Sequence, residues 1–324
     1  MYSGISGLKN FQTKLDVIGN NIANVNTYGF KKERTIFKDL ISQTQAGASG
    51  PTATRGGVNA IQVGLGSQLA AIDTVHNGGS LQSTGRTLDL AISGDGFFMV
   101  GDTILDAAPD PEDLADNTVN GLEGVEISNI NYTRAGNFYM DRNGFLVNGD
   151  GKYLVGVPND VLYGEVIPDA VSEADGHKSA VAEDLGVDDL YDGGEIDADI
   201  RPIKIPTNAQ SMSVGQDGAV YYVDVNGKLQ FAGQLLLAKF PNASGLEKTG
   251  SNYFQTTANS GDPLVQVGTQ GGIGAVQSGF LEMSNVDLSE EFTEMIVAQR
   301  GFQANSRIIT TSDEILQELV NLKR

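Results

Sequence analysis

The carboxyl end of the chain carries apolar residues at the spacing of a helix that packs against another helix. Seven residues form its packing face, five of them at intervals of seven: Leu288, Met295, Phe302, Ile309 and Leu316, together with Phe292 and Val320. Asp287, followed three residues later by Glu290, predicts a capping box at the helix start, in which the first side chain binds a free N–H of the first turn and the second reaches back to the cap residue. The pattern therefore predicts a helix over 285–324 that requires a partner.

A second apolar stripe runs along a neighbouring face of the same helix. It consists of Ile308, Ile315, Leu319 and Leu322. Because one partner helix cannot cover both stripes, we expect further neighbours. The alternative at this point is a terminal helix that simply docks on its own domain.

The amino-terminal residues 1–30 supply a matching helix. Its apolar residues follow the a and d positions of a heptad: Ile5, Leu8, Phe11, Leu15, Ile18, Ile22 and Val25. Gly4, Gly7 and Gly19 each weaken such a helix by roughly 1 kcal/mol relative to Ala, so we expect its order to depend on neighbours. Four asparagines, Asn20, Asn21, Asn24 and Asn26, are expected at its solvated end.

Residues 31–68 separate this helix from the body of the chain. The segment 37–41 is compatible with a short helix or strand, whereas 45–57 is rich in Ala, Gly, Ser and Thr. That composition is typical of linkers. We therefore interpret the stretch as a connector.

The middle of the chain has the alternation of short β-strands. Leu88, Leu90 and Ile92 alternate with polar or small residues before the Gly94-Asp95-Gly96 turn, which predicts a hairpin. Further strands with Asn-Gly turns at Asn143 and Asn226 predict a β-rich domain over 69–155 and 203–284.

Two acidic stretches interrupt this β pattern. Eight carboxylates and no Lys or Arg lie between Gly101 and Asn131, and thirteen carboxylates face a single Lys178 between Asp160 and Asp199. The first is expected to form a solvated loop. The second is expected to form a small inserted lobe over 156–202.

Charge and composition exclude several classes of protein. Lys and Arg number 21 against 41 Asp and Glu, and the formal charge of −20 repels nucleic acids and anionic membranes. We expect neither as a partner. There is no Cys, which removes disulfides and thiolate metal sites.

Catalytic, cofactor and metal sites are not indicated. The two histidines, His76 and His177, lie about a hundred residues apart and outside any Ser/His/Asp or His-rich context. Gly64-Leu65-Gly66 lacks the full glycine fingerprint for nucleotides, and Asp141 to Gly144 misses the calcium loop spacing. We therefore expect no enzyme, no cofactor and no metal.

The segment from Asn20 through Gly29 and Phe30 to Lys31, with Asn21, Asn24 and Asn26 inside it, resembles the signature of the bacterial flagellar rod and hook protein family. Gln299 to Ser306 and Asp313 to Gln317 are similar to that family's carboxyl-terminal helix. Thr84 to Ile92, followed by Gly94 to Phe98, resembles the hook protein more than the rod proteins. Family members usually start a few residues earlier, so Met1 is expected to be an internal or truncated start.

The resemblance implies an α+β fold with a coiled-coil-like inner domain, made of the amino- and carboxyl-terminal helices, and a β-rich outer domain with the acidic insertion. It also implies the flexible hook that transmits torque from rod to filament. Implied partners are copies of the same chain, the distal rod, the hook cap, the hook–filament junction proteins and the flagellar type III export apparatus. The implied location is the bacterial flagellum, outside the cell, in hook or basal body.

Two alternatives remain open. A distal rod protein would share both ends and the fold but would have stiffer outer contacts. A soluble extracellular β-rich binding module would be a stable monomer whose ends could be trimmed without consequence.

Overall fold

A computed structural model describes residues 2–52, 54–105, 125–158, 191–192, 195–196 and 200–322. The chain folds into two compact units. The terminal unit comprises Met1–Asn26, Lys31–His76 and Asn285–Arg324. The β unit comprises Thr27–Phe30 and Asn77–Ser284.

The terminal unit contains both long helices and four strands. Helix α1 spans Tyr2–Ala23 and helix α2 spans Leu288–Leu322. The strands form two antiparallel pairs, β1 with β4 and β2 with β3. Their bounds are β1 Glu33–Asp39, β2 Ser42–Ala46, β3 Ile61–Gly64 and β4 Ser67–Thr74.

One of the two capping hydrogen bonds predicted for the start of α2 is present. The Ser289 N–H donates to Asp287 Oδ1 at 2.8 Å, which satisfies a free donor of the first turn. Glu290, expected to reach back to the cap, instead accepts a hydrogen bond from Lys32 Nζ at 2.8 Å. A nearby cation thus attracts the second carboxylate of the predicted box away from the backbone.

The stretch 31–68, expected to be a connector, contains β1, β2, β3 and the first residues of β4. Strand β1 pairs with β4 from Glu33↔Thr74 to Asp39↔Ser67. The partner strand lies some thirty residues away along the chain, so composition in a local window does not reveal the pairing.

The β unit contains the remaining strands. They are β5 Leu81–Ser83, β6 Leu90–Ser93, β7 Phe97–Leu105, β8 Val125–Thr133, β9 Tyr139–Met140, β10 Leu146–Val147, β11 Tyr153–Pro158, β12 Tyr191–Asp192, β13 Glu195–Ile196, β14 Arg201–Pro202, β15 Ser211–Val214, β16 Ala219–Val223, β17 Leu229–Leu235, β18 Leu237–Lys239, β19 Glu247–Gly250, β20 Tyr253–Gln255, β21 Leu264–Gln266, β22 Ala275–Ser278 and β23 Phe280–Glu282. Within the described residues, 13 strands form one sheet, and its main path runs in the order β15-β16-β17-β11-β7-β8-β20-β19.

Strand β7 separates two apolar cores. Phe98 and Val100 belong to one cluster of buried side chains, and Phe97 and Met99 belong to the other. Successive side chains of a strand point to opposite faces, so the uninterrupted apolar run of β7 fits a sheet covered on both sides. The β unit therefore has a substantial core of its own.

Both predicted Asn-Gly hairpins form, but each loop is one residue longer than a two-residue Asn-Gly turn. The Gly144 N–H donates to Asp141 O, and the Gly227 N–H donates to Asp224 O. Gly144 and Gly227 are the last residues of the two loops, and both have a left-handed backbone conformation, with φ 89° and 74°. Each asparagine therefore sits in the body of a three-residue loop, and the glycine closes it.

The prediction of a hairpin around Gly94-Asp95-Gly96 is wrong. Strand β6 pairs with β22, whereas β7 pairs with β8, β11 and β18. The backbone at Gly94 has φ 127°, and a Cβ there would lie 2.8 Å from Gly274 Cα. This close crossing of two glycine segments redirects the chain between β6 and β7.

The α+β class is confirmed, with a β-rich body and helices at the amino and carboxyl ends. The predicted acidic lobe at 156–202 lies largely outside the described residues, as do 106–124 of the other acidic stretch. In the described part of the chain, no helix is both long and apolar enough to cross a membrane.

Candidate assembly surface

Helices α1 and α2 lie against each other in opposite directions. Gly4 lies next to Ile308, and Phe11 lies next to Gly301. Further along, Asn21 Nδ2 donates a hydrogen bond to Glu291 Oε2 at 3.2 Å. Positions on α2 fall as positions on α1 rise, so the pair is antiparallel.

The residues at the centre of this helix contact are small or polar. Ala298 is completely buried, and a Cβ on Gly301 would lie 2.6 Å from Phe11 Cζ. A Cβ on Gly7 would lie 2.9 Å from Asn305 Nδ2. The two backbones therefore approach closely at positions where larger side chains could not fit.

The heptad residues predicted for this contact are distributed differently. Ile18 is buried, and eight others are half-buried: Leu8, Phe11, Leu15, Ile22, Val25, Met295, Phe302 and Ile309. Ile5, Leu288, Phe292, Leu316 and Val320 are exposed. The predicted stripes are thus only partly covered in the single chain. Coiled-coil pairing stays a prediction.

Large apolar side chains are exposed mainly on the terminal unit. It holds nineteen of the twenty-four such side chains among the described residues. They lie on both helices and on the strand pairs: Ile5, Ile36, Ile41, Val58, Ile61, Val63, Leu65, Leu69, Ile72, Leu288, Phe292, Ile296, Val297, Ile308, Ile315, Leu316, Leu319, Val320 and Leu322. We call this set the apolar surface.

The terminal unit buries few apolar side chains. Among its described residues, the buried hydrophobic ones are Val17, Ile18 and Ala298. Both large clusters of buried apolar residues belong to the β unit. The exposed apolar residues of the described chain are thus concentrated in the unit that buries few of them.

Asn21, one of the four asparagines in the signature, connects three elements of the terminal unit. Its Nδ2 donates to Glu33 O at 2.8 Å and to Glu291 Oε2, and its Oδ1 accepts from the Glu33 N–H at 3.0 Å. Asn21 is buried. It was expected at a solvated helix end, but it joins α1, β1 and α2 instead.

The other three asparagines have different surroundings. Asn24 is half-buried, and its Nδ2 donates to Asn20 O at 2.9 Å and to Asn20 Oδ1 at 3.0 Å. Both residues lie where α1 ends at Ala23, so they satisfy a backbone carbonyl of the last turn. Asn20 and Asn26 are exposed, as a solvated helix end requires.

Gly29 and Phe30 of the signature are buried within the β unit. Gly29 has φ 71°, and a Cβ there would lie 2.5 Å from the backbone nitrogen of Ala135. Lys248 Nζ lies 4.9 Å from the centre of the Phe30 ring. Only glycine fits at position 29, for reasons of both backbone conformation and space.

Glu291 is a buried carboxylate in the helix contact. Burial raises the pKa of its carboxyl above the ordinary value, and the charges of Glu294 and Glu290 act in the same direction. The Asn21 hydrogen bond and the charge of Lys32 oppose the shift. Sequence reasoning missed this residue. The small and polar positions 291, 294, 298, 301 and 305, at alternating spacings of three and four, could have revealed it.

The net charge of the protein lies entirely in one unit. The terminal unit contains 11 basic and 11 acidic residues, and the β unit contains 10 basic and 30 acidic residues. Within the terminal unit, Lys14 pairs with Glu294 at 2.9 Å and Lys32 pairs with Glu290 at 2.8 Å. The unit that carries the apolar surface is therefore neutral overall.

The two histidines considered for catalysis or metal binding cannot be compared in space, since His76 lies within the described residues and His177 lies outside them. Among the residues that the structure does describe, no group of three or more His, Asp or Glu side chains could hold a metal ion.

Three family models match this chain. Residues 1–31 match the flagella basal body rod protein model, and 125–222 match the flagellar hook protein FlgE/F/G D1 domain. Residues 277–322 match the carboxyl-terminal model of the flagellar basal body rod FlgEFG proteins. Both helices and part of the β unit are thus covered.

Curated relatives match over the whole length. The chain is 52% identical over 326 positions to flagellar basal-body rod protein FlgG of Bacillus subtilis (strain 168), covering 100% of this chain and 98% of that protein. It is 34% identical over 448 positions to flagellar hook protein FlgE of Borreliella burgdorferi, covering 100% and 99%. FlgG of Buchnera aphidicola from Acyrthosiphon pisum is 32% identical over 321 positions, covering 98% and 96%.

Proposed function

Since this chain belongs to the family of flagellar rod and hook axial proteins, we propose that it is a structural subunit of the flagellar rod. Copies of the chain polymerise into the distal rod, a tubular segment that transmits torque. The subunits reach this position through the flagellar type III export apparatus, and the polymer joins the hook at its outer end.

The observation that carries the proposal is the apolar surface of a unit without a core of its own. Its side chains are roughly half exposed, so covering one of them by a neighbouring copy contributes about 1 kcal/mol. The terminal unit has no net charge, so the repulsion between copies arises from the β unit and not from the unit that carries the apolar surface. The helices would thus form an inner layer of the tube, ordered fully by assembly.

We favour the rod over the hook. The sequence motifs alone suggested the hook. Identity is 52% with the rod protein FlgG of Bacillus subtilis and 34% with the hook protein FlgE of Borreliella burgdorferi. The alignment with that rod protein needs 326 positions and the one with that hook protein needs 448. The alignment with that rod protein therefore accommodates the whole chain, including the acidic residues 156–202, with almost no extra positions.

The hook is the second candidate function. It is supported by the Thr84-to-Ile92 segment, which resembles hook proteins, and by alignment over 99% of the hook protein FlgE of Borreliella burgdorferi. In this alternative, the partners would be the distal rod, the hook cap and the hook–filament junction proteins. The same terminal unit would build the inner layer, and sliding between β units would permit bending.

Assembly is tested with two leucines of equal exposure. Leu319 on α2 and Leu229 on β17 are each 57% exposed, so replacing either by Ser should leave the monomer equally stable. We expect Leu319→Ser to abolish or strongly reduce polymer formation, measured by light scattering and electron microscopy, and Leu229→Ser to assemble normally. Equal assembly of both variants would contradict a role for the apolar surface and would favour the alternative of a monomeric binding module.

Rod and hook are distinguished by complementation. The gene is expressed in two strains of a host that encodes a close homologue, one lacking the distal rod protein and the other lacking the hook protein. We expect motility and complete basal bodies to return in the first strain alone. Recovery in the second strain alone would replace the rod by the hook.

A further inference from the structure

Three Asn-Gly pairs lie in hairpin loops of the β unit, between β9 and β10, between β10 and β11, and between β16 and β17. In such a pair, the backbone nitrogen of the glycine attacks the asparagine carboxamide, because glycine has no side chain to hinder ring closure. Val147-Asn148-Gly149 and Val225-Asn226-Gly227 are identical tripeptides. A difference in reactivity between these two asparagines therefore comes from the fold.

The carboxamide of Asn148 is held by three hydrogen bonds. Its Oδ1 accepts from the Asp150 N–H at 3.0 Å and from the Lys152 N–H at 2.9 Å. Its Nδ2 donates to the hydroxyl of Tyr253, which in turn donates to Asp150 Oδ2 at 2.6 Å. Ring closure moves the carboxamide carbon onto the Gly149 nitrogen and expels Nδ2, so it would break the bonds that hold the side chain. Asn148 is therefore protected.

Asn143 and Asn226 occupy matching loops with different surroundings. Each belongs to an Asp-x-Asn-Gly sequence in which the glycine N–H donates to the backbone oxygen of the aspartate. Gly144, which follows Asn143, is buried, and its carbonyl accepts a hydrogen bond from the Ile205 N–H at 2.8 Å. A Cβ on Gly144 would collide with the backbone oxygen of Ile205. This packing holds the loop at Asn143 in its present conformation.

The loop at Asn226 has no comparable packing among the described residues. Asn226 and Gly227 are both exposed, and a Cβ on Gly227 would meet nothing within 4 Å outside its chain neighbours. Within the described chain, the hydrogen bond of the Asn226 carboxamide is an exposed one, from Nδ2 to Asp224 Oδ2 at 3.0 Å. An exposed hydrogen bond at a hairpin tip opens at little cost in free energy. Asn226 therefore reaches the geometry for attack more often than Asn143 or Asn148.

We propose that Asn226 is a site of spontaneous deamidation, and that the fold protects Asn143 and Asn148. The Gly227 nitrogen forms a bond to Asn226 Cγ, the Cγ–Nδ2 bond breaks, and ammonia leaves with the proton of the Gly227 amide. Water then adds to one of the two carbonyl carbons of the cyclic imide. The bond from that carbon to nitrogen breaks, and the nitrogen regains a proton. The product is aspartate or isoaspartate, one water is consumed, one ammonia is released, and nothing is oxidised or reduced.

The reaction changes both the charge and the backbone of the hairpin tip. Either product places a carboxylate beside Asp224, and isoaspartate also inserts a methylene group into the main chain. Two hydrogen bonds close this loop, from the Gly227 N–H to Asp224 O and from the Asp224 N–H to Lys228 O, both at 2.9 Å. A longer main chain cannot keep both bonds in place. The tip of the β16–β17 hairpin therefore loosens as the chain ages.

The test follows each asparagine in the folded full-length chain during incubation at mildly alkaline pH. Digestion at mildly acidic pH, followed by chromatography and fragmentation mass spectrometry, separates the Asn, Asp and isoaspartate forms. We expect Asn226 to convert at least about tenfold faster than Asn143 and Asn148, and all three to convert at similar rates in urea, where the protection is lost. Equal rates in the folded chain would overturn the proposal. A difference that persists in urea would also overturn it, because the local sequence would then set the rates.

The effect on the hairpin is measured with Asn226→Gln, in which ring closure is far slower because it needs a larger ring. Hydrogen exchange of the Asp224 amide is compared before and after the same incubation. We expect it to become about five- to tenfold faster in the converted fraction of wild type, the effect of losing one hydrogen bond, and to stay unchanged in Asn226→Gln. The same change in both chains would contradict the assignment to Asn226. Both measurements use the unassembled chain, so they do not depend on the proposed function.

Discussion

The ring of Phe11 lies directly against the backbone of Gly301. A Cβ placed on Gly301 would come within 2.6 to 2.9 Å of three ring carbons of Phe11. The contact fixes the position of α1 along α2, since sliding either helix would bring a larger side chain under the ring. Phe11 belongs to the predicted heptad stripe of α1, whereas Gly301 does not belong to the predicted stripe of α2.

Replacing Gly301 by Ala should therefore weaken the terminal unit. Overpacking costs about 1–3 kcal/mol, and the gain in helix propensity of about 1 kcal/mol offsets only part of this. Gly19→Ala is the matched control, because the space around Gly19 is open and only the propensity gain applies. Chemical denaturation of the full-length chain should show opposite signs for the two variants. Equal stabilisation of both would show that Phe11 moves aside at no cost.

Asn21→Ala should destabilise the terminal unit more than substitution of any exposed asparagine. The change leaves the Glu33 N–H and the buried Glu291 carboxylate without their partner, at a cost of about 2–4 kcal/mol. Asn26→Ala, at an exposed position of the same signature, should change stability by less than about 0.5 kcal/mol. Denaturant midpoints measure both. Similar midpoints for the two variants would contradict the joining role of Asn21.

Glu291 should make the stability of the terminal unit depend on pH. Because burial raises the pKa of this carboxyl in the folded chain, the folded state binds its proton more tightly than the unfolded state. This contribution therefore favours folding at low pH and is lost as pH rises from the ordinary glutamate pKa through the raised one. Glu291→Gln should remove that dependence and stabilise the chain at neutral pH.

The control for Glu291→Gln is Glu290→Gln, which removes an exposed carboxylate paired with Lys32. Thermal unfolding of both variants between pH 4 and pH 8 checks the prediction, in a range set by ordinary carboxyl pKa values of about 4. A pH profile of Glu291→Gln that is parallel to wild type would show that the titration of Glu291 does not contribute.

Salt should promote assembly, because it screens the negative charge of the β unit. Its excess of 20 acidic residues makes neighbouring copies repel each other. Raising ionic strength from about 0.01 M to about 0.15 M shortens the screening length from about 30 Å to about 8 Å, so the protein concentration needed for polymerisation should fall. Removing 160–199 should reduce this salt dependence, since thirteen carboxylates are lost. Sedimentation that is indifferent to salt and to the deletion would exclude repulsion as a control of assembly.

The sequence by itself determined the two terminal helices, the β-rich body and the membership of an axial protein family. Heptad spacing in 285–324 and alternation around Leu90 are local signals, and a local period fixes the type of element. The signature from Asn20 to Lys31 is equally local and needs no knowledge of distant contacts.

Only the tertiary structure decided which faces and residues meet. Ala298 and Gly301 lie at the helix contact, where backbones pack tightly because side chains are small, while five of the predicted heptad residues are exposed. The pairing of β1 with β4, the contact of Asn21 with Glu291, and the hydrogen bonds of Glu282 to Gly79 and of Asn285 to Lys32 all join residues far apart in the chain. A periodic pattern predicts that an apolar stripe will be covered. Which segment covers it depends on the packing of distant parts of the chain, and no local window contains this information.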